Sequence, residues 1–140
     1  MLVSTKGRYA LRVMLRLAEN ADGEYLQLDA IAGEEDISEK YLESIARILV
    51  KAKLIEGVRG RGGGYRLTRK VSEYSVGEIL RLTEGSLAPV SCLECGSEPC
   101  ARAGVCRTLP MWKKLDQMIE EYLESVTLAD LQENAPEEKD

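Results

Sequence analysis

Between residues 55 and 67 the chain reads IEGVRGRGGGYRL, and no other stretch restricts the fold so tightly. The β-forming residues Ile55, Val58, Tyr65 and Leu67 flank Gly60, Gly62, Gly63 and Gly64. A helix tolerates such a glycine density poorly, whereas a chain reversal uses it. The segment therefore predicts a hairpin of two short strands with a flexible tip. Arg59, Arg61, Arg66, Arg69 and Lys70 make that tip basic, and glycines between arginines let the backbone come close to a phosphate surface. GRGGGYR has neither the lysine nor the following helix of a nucleotide-phosphate loop, so that use is excluded in its usual form. A mobile loop or a DNA-contacting wing remains.

The preceding residues favour the wing. Ser4 precedes Tyr9, Ala10, Val13, Met14, Leu17 and Ala18 at helical spacing, which predicts a first amphipathic helix ending near residues 20–23. A shorter helix follows from Leu28 through Ile31 and Ala32, with Gly33 and the acidic run after it as the expected stop. Ser38 is a good N-cap for a third helix carrying Tyr41, Leu42, Ile45, Leu49 and Val50, with Lys51 and Lys53 at its end. Two short helices around a tight turn read as helix-turn-helix, and a hairpin behind them reads as a wing.

With 44% hydrophobic and 31% charged residues, no Phe and one Trp, the chain has an aliphatic core suited to packed helices. No apolar run approaches the roughly 20 residues of a membrane span. The opening segment is interrupted by Lys6, Arg8, Arg12 and Arg16, unlike a signal peptide, so the expected location is the cytosol. The net charge of -5 argues at first against a nucleic-acid partner. It conceals an asymmetry: residues 1–72 hold 13 Lys and Arg against 10 Asp and Glu, and residues 73–140 hold 6 against 14. Only the first half is electrostatically suited to DNA.

Beyond the hairpin, Ser75 caps SVGEILRLTEG, a short helix stopped by Gly85. Regularity then fails over residues 86–107. From about Pro110 the residues Met111, Trp112, Leu115, Met118, Ile119, Tyr122 and Leu123 predict a long amphipathic helix. Its stripe must be buried either on its own domain or on a second copy of the chain, and the second copy is the simpler partner. The expected architecture is mainly α with a small β-hairpin: a winged helix-turn-helix DNA-binding unit (1–85), a cysteine-rich loop (86–107), a dimerisation helix and C-terminal segment (108–132) and an acidic, frayed tail (133–140).

All four cysteines lie within that loop, as Cys92, Cys95, Cys100 and Cys106. Thiols in a cytosolic chain stay reduced, which favours a metal or redox role over a disulfide. Thiolates select zinc, copper(I) or iron-sulphur clusters. Structural zinc usually takes two closely spaced pairs, and here only Cys92 and Cys95 form one. Iron-sulphur clusters accept more varied spacings. On spacing alone zinc and a cluster stand level. A CxxC oxidoreductase would set its motif near a βαβ pattern, and none is present. With no histidine, no nucleotide loop and no recognisable carboxylate pair, the chain does not read as an enzyme.

In order and in register, the segments STKGRYAL, ISEKYLESI, VRGRGGGYRL, SVGEILRLTEG and SVTLADL resemble the Rrf-two family of winged-helix transcription regulators, over about residues 1–132. The resemblance implies a homodimer bound to a pseudo-palindromic double-stranded DNA operator, as a repressor. It implies Glu43 as a base reader, with Ser38, Lys40 and Tyr41 beside it on the recognition helix. Arg59 and Arg61 would enter the minor groove or grip the backbone, and Lys6 and Arg8 would contact phosphates. Ser38 also serves as a cap, and Tyr41 equally suits a core ring.

Cluster-binding members carry three cysteines, and Cys92, Cys100 and Cys106 occupy their positions, with Trp112 at a family-typical place after them. The resemblance thus implies a [2Fe-2S] cluster, with [4Fe-4S] or zinc as alternatives. Members that complete the site with a histidine or an N-terminal aspartate differ here, where Leu109 and Arg8 stand. Cys95 is then the candidate fourth ligand, with an exogenous thiol or an acidic residue as the alternatives.

Overall fold

The computed structural model describes residues 3–20, 23–94 and 102–134. Helix α1 (Thr5–Glu19) begins at Ser4, whose hydroxyl accepts from the Gly7 N–H at 3.2 Å, and buries Ala10, Val13, Met14 and Leu17 along one face. Helix α2 (Leu28–Glu35) runs through Gly33 rather than stopping there. Two arginines of α1 explain the extra turn: Arg12 pairs with Glu35 at 2.7 Å and Arg16 pairs with Glu34, so the acidic run is held as helix. Asp36 ends it in the left-handed region (φ 54°), which Asp tolerates better than most residues. Ile37 is buried at the turn, and Ser38 accepts from the Tyr41 N–H at 3.2 Å to start α3 (Glu39–Lys51).

Strands β1 (Ile55–Val58) and β2 (Gly64–Leu67) pair antiparallel in the register Ile55↔Leu67 to Val58↔Gly64. The chain before α2 joins their edge, because Leu26 and Tyr65 exchange two backbone hydrogen bonds of 2.9 Å. That contact uses a glycine: a Cβ on Gly64 would stand 2.4 Å from the Leu26 carbonyl oxygen. A Cβ on Gly63 would stand 2.2 Å from the Val58 carbonyl oxygen. Half of the glycine run thus serves the hairpin's own close packing.

Helix α4 (Val76–Glu84) is capped by Ser75 and stopped by Gly85, as the sequence predicts. With no Phe in the chain, Tyr74 is the largest fully buried side chain. Its hydroxyl donates to the Leu54 carbonyl at 2.7 Å and accepts from the N–H groups of Thr68 and Arg69, both at 2.9 Å. The core around it joins Val13, Met14, Ile31, Leu42, Ile45, Leu49 and Ile79.

Helix α5 (Leu109–Ser125) starts with Pro in its first turn and buries none of its residues fully. Ile119 and Leu123 rest on a second apolar cluster of Val76, Leu80 and Leu87, while Met111, Leu115, Met118 and Tyr122 remain exposed. The amphipathic stripe is therefore divided, one edge on its own domain and one edge open. After it the chain turns back. Helix α6 (Leu128–Glu133) is started by a capping box between Thr127 and Asp130 and brings Leu128, fully buried, into the main core. Backbone bonds from Val76 to the Val126 carbonyl (2.8 Å) and from Leu128 to the Tyr74 carbonyl (3.1 Å) hold it there. Helix α6 takes in Glu133, and residues 135–140 of the expected acidic tail lie outside the described residues.

Candidate nucleic-acid interface

Helix α3 turns Leu42, Ile45, Ala46 and Leu49 inward, which leaves Ser38, Lys40, Glu43, Arg47 and Val50 exposed. Lys40 and Glu43 stand within the first two turns, the part of a recognition helix that reaches base edges in a major groove. Tyr41 is half-buried: its ring meets Tyr9 edge-on at 5.7 Å and packs against the core. Ser38 is spent as the N-cap.

Opposite α3, the hairpin presents Arg59 and Arg61, both exposed. A cleft of about 520 Å³ separates helix from hairpin and is lined by Glu43 and Arg47 on one side and Val58 and Arg59 on the other. The fold thus brings Glu43 and Arg59, sixteen positions apart in the chain, to one opening. Arg47 is the member that the sequence reading missed; its only signal is a place one turn after Glu43 on the same face.

Ion pairing divides the arginines. Arg66 pairs with Glu56 across the hairpin and stacks on Tyr25, and Arg69 binds both carboxylate oxygens of Glu78, at 2.9 and 3.1 Å. Each of these guanidiniums is held even more firmly protonated by its carboxylate partner. Their charge is neutralised locally, and they anchor the hairpin instead of facing outward. Among the described residues, Lys6, Lys40, Arg47, Arg59 and Arg61 make no ion pair, nor does Arg8, whose guanidinium donates to Thr5 Oγ1 at 3.3 Å. Lys6 is half-buried and Arg8 exposed, both in the first turn of α1.

Helix α4 ties these pieces to the cysteine loop. Glu78 holds Arg69 at the hairpin exit, and Arg81 pairs with Glu124 near the end of α5. Glu84 accepts from the backbone N–H (3.1 Å) and the hydroxyl (2.6 Å) of Ser4. Gly77 permits the α5 contact, since a Cβ there would stand 2.7 Å from Glu124 Oε1. Two residues after Glu84 begins the 86–107 segment that carries the cysteines.

Cys92 and Cys106 are half-buried near the two ends of that segment, while Cys95 and Cys100 lie outside the described residues. Among the described residues no three metal-ligating side chains gather at one point. Cys106 sits just before α5. The Thr108 hydroxyl, 3.3 Å from its sulphur, lowers the thiol's pKa most, and the Thr108 and Leu109 N–H groups and Arg102 add to the effect. A position that favours thiolate, in a chain with no histidine, is chemically suited to a soft metal. Arg8 and Leu109 offer no donor to such a site.

A helix-turn-helix whose second helix and following hairpin expose unpaired cations around one cleft defines a winged-helix DNA-binding protein. The chain belongs to the Rrf2 family: that family's model, described as an iron-dependent transcriptional regulator, matches residues 3–134. Its members are regulators of transcription and not enzymes. The HTH-type transcriptional regulator CymR of Bacillus subtilis is 37% identical over 131 residues, covering 94% of this chain and 89% of the relative. The solved structure of CymR, titled the global cysteine regulator of B. subtilis, superposes with a TM-score of 0.79 at 34% identity, over 97% of this chain and 99% of that one. T. potens IscR gives 0.76 at 36% identity, over 98% and 90%. No helix among the described residues is long and apolar enough to cross a membrane.

Proposed function

We propose that this regulator acts as a cytosolic homodimeric repressor whose operator binding is tuned by an iron-sulphur cluster, [2Fe-2S] in type, held by Cys92, Cys100 and Cys106 with Cys95 as fourth ligand. The observation that carries it is the donor set: four thiols within fifteen positions, no histidine, and a Cys106 held toward thiolate by Thr108. A bound cluster supplies sensitivity to oxidants and to iron supply.

The chain's own residues do the rest. Lys40 and Glu43 read base edges in the major groove, with Tyr41 bracing the helix against Tyr9. Arg59 and Arg61 hold the adjacent minor groove or backbone, and Lys6 and Arg8 add phosphate contacts. The 86–107 segment joins α4 to α5, and α4 grips the hairpin exit, α5 and the start of α1 through Glu78, Arg81 and Glu84. A change of loop geometry therefore reaches the hairpin and the start of α1 through one helix. The open edge of α5 supports pairing with a second copy, which sets two reading heads on a pseudo-palindrome.

The test is anaerobic iron-sulphide reconstitution of wild type and of Cys92→Ala, Cys95→Ala, Cys100→Ala and Cys106→Ala, followed by operator affinity with and without the cluster. Brown wild-type protein, colourless Cys92, Cys100 and Cys106 variants, and an altered spectrum for Cys95→Ala are expected. Colourless wild type, or zinc in its place, would transfer the chain to the metabolite-responsive reading that the CymR likeness offers. A Cys95→Ala protein with the wild-type spectrum and oxygen lability would remove Cys95 from the ligand set.

A further inference from the structure

We propose that Arg47 is a phosphate-binding residue which, with Arg59, clamps the DNA strand running between α3 and the hairpin. The proposal rests on the DNA-binding reading above and adds to it a residue and an occupant for the cleft.

Glu43 precedes Arg47 by four residues on a helix, the orientation in which a carboxylate and a cation most readily pair. They do not pair. Arg12, Arg16, Arg66, Arg69 and Arg81 all hold a carboxylate, so the two guanidiniums that line the cleft stand apart. Their charge is left for an anion from outside the chain.

Height along the helix decides which part of DNA that anion is. When the first two turns of α3 reach base edges, a residue four positions beyond Glu43 stands about 6 Å farther along the axis, toward the groove's rim, where phosphates lie. The strand at that rim separates the major groove entered by α3 from the minor groove reached by the hairpin. It must therefore pass between Arg47 on one wall and Arg59 on the other. The cleft's remaining surface suits a sugar-phosphate chain. Val50 and Val58 are 38% and 49% exposed there, and a deoxyribose offers C–H faces to cover them.

The experiment compares wild type, Arg47→Ala and Arg47→Lys on two duplexes of equal length, one recovered by binding-site selection with wild type and one of random sequence, between 50 and 200 mM salt. Alanine favours an exposed helical site, so the variants keep the fold. Arg47→Ala should lose affinity for both duplexes by the same factor, and the slope of log K against log salt should become shallower by about 0.9 per protomer. Arg47→Lys, which still neutralises one phosphate, should keep the wild-type slope. An Arg47→Ala protein with wild-type affinity and slope places Arg47 outside the interface and overturns the proposal. So does a variant that keeps its slope but relaxes preference at one base pair, which makes Arg47 a base reader. Wild type without salt-dependent binding to either duplex would sink the DNA-binding reading itself.

Discussion

Tyr74 shows how much one polar atom can organise. Its hydroxyl satisfies the Leu54 carbonyl and two N–H groups at the point where the chain leaves the hairpin. Tyr74→Phe keeps the ring but leaves these groups without that partner, so a loss of about 1–3 kcal/mol is expected, read as a lower urea midpoint with unchanged slope. An unchanged midpoint would mean that Thr68 Oγ1, 3.3 Å from the hydroxyl, takes over its bonds. At the interface two single substitutions should differ in kind. Arg59→Ala should weaken binding to every sequence and flatten its salt dependence, because a phosphate contact carries no base preference. Glu43→Ala should cost about 1–3 kcal/mol at one base pair only, seen as lost preference there in a binding-site selection. If that selection returns the wild-type motif, Glu43 reads no base.

At the scale of elements, neighbouring helices decide more than local propensity does. Helix α6 has only six residues, too few to persist alone, and survives because its capping box and Leu128 dock it beside Tyr74. Leu128→Ala should therefore destabilise the whole domain by about 2–5 kcal/mol and not merely fray the end, which thermal unfolding of the variant would show as one cooperative transition at lower temperature. Separate melting of a C-terminal segment would contradict this. Helix α2 makes the same point. Its last residues are helical because Arg12 and Arg16 reach over from α1 to hold Glu35 and Glu34. At pH 7 that pairing is present; the Arg16 hydrogen bond lowers the Glu34 pKa, so its contribution fades as pH falls through that depressed value.

For the molecule as a whole, the open edge of α5 is the feature that a single chain does not satisfy. Met111, Leu115, Met118 and Tyr122 recur at three- and four-residue spacing and stay exposed, from Leu115 at 38% to Tyr122 at 68%. Met118→Glu alters little within the protomer, since the side chain is exposed there. In the proposed dimer it would bury a charge. Sedimentation should shift from dimer to monomer, and operator affinity should fall because one reading head then binds alone. A Met118→Glu protein that remains a dimer would move the interface off this edge.

Much of this was legible without coordinates, because it depends on neighbours in sequence. Ser4, Ser38 and Ser75 cap helices with their own hydroxyls, and the hairpin follows from glycines between β-formers, so each was written within a few residues. The family's motifs were legible for the same reason. Other features depend on residues brought together from far apart. That Gly33 does not end α2, that Arg66 and Arg69 are neutralised while Arg59 and Arg61 are not, and that Leu128 joins the first domain's core follow from partners distant in sequence, Tyr74 in the case of Leu128. Local composition assigned all five basic residues of the hairpin to one surface. Only the tertiary structure separated those that hold the fold from those free to meet an anion, because a charge's function depends on whether a carboxylate already stands beside it.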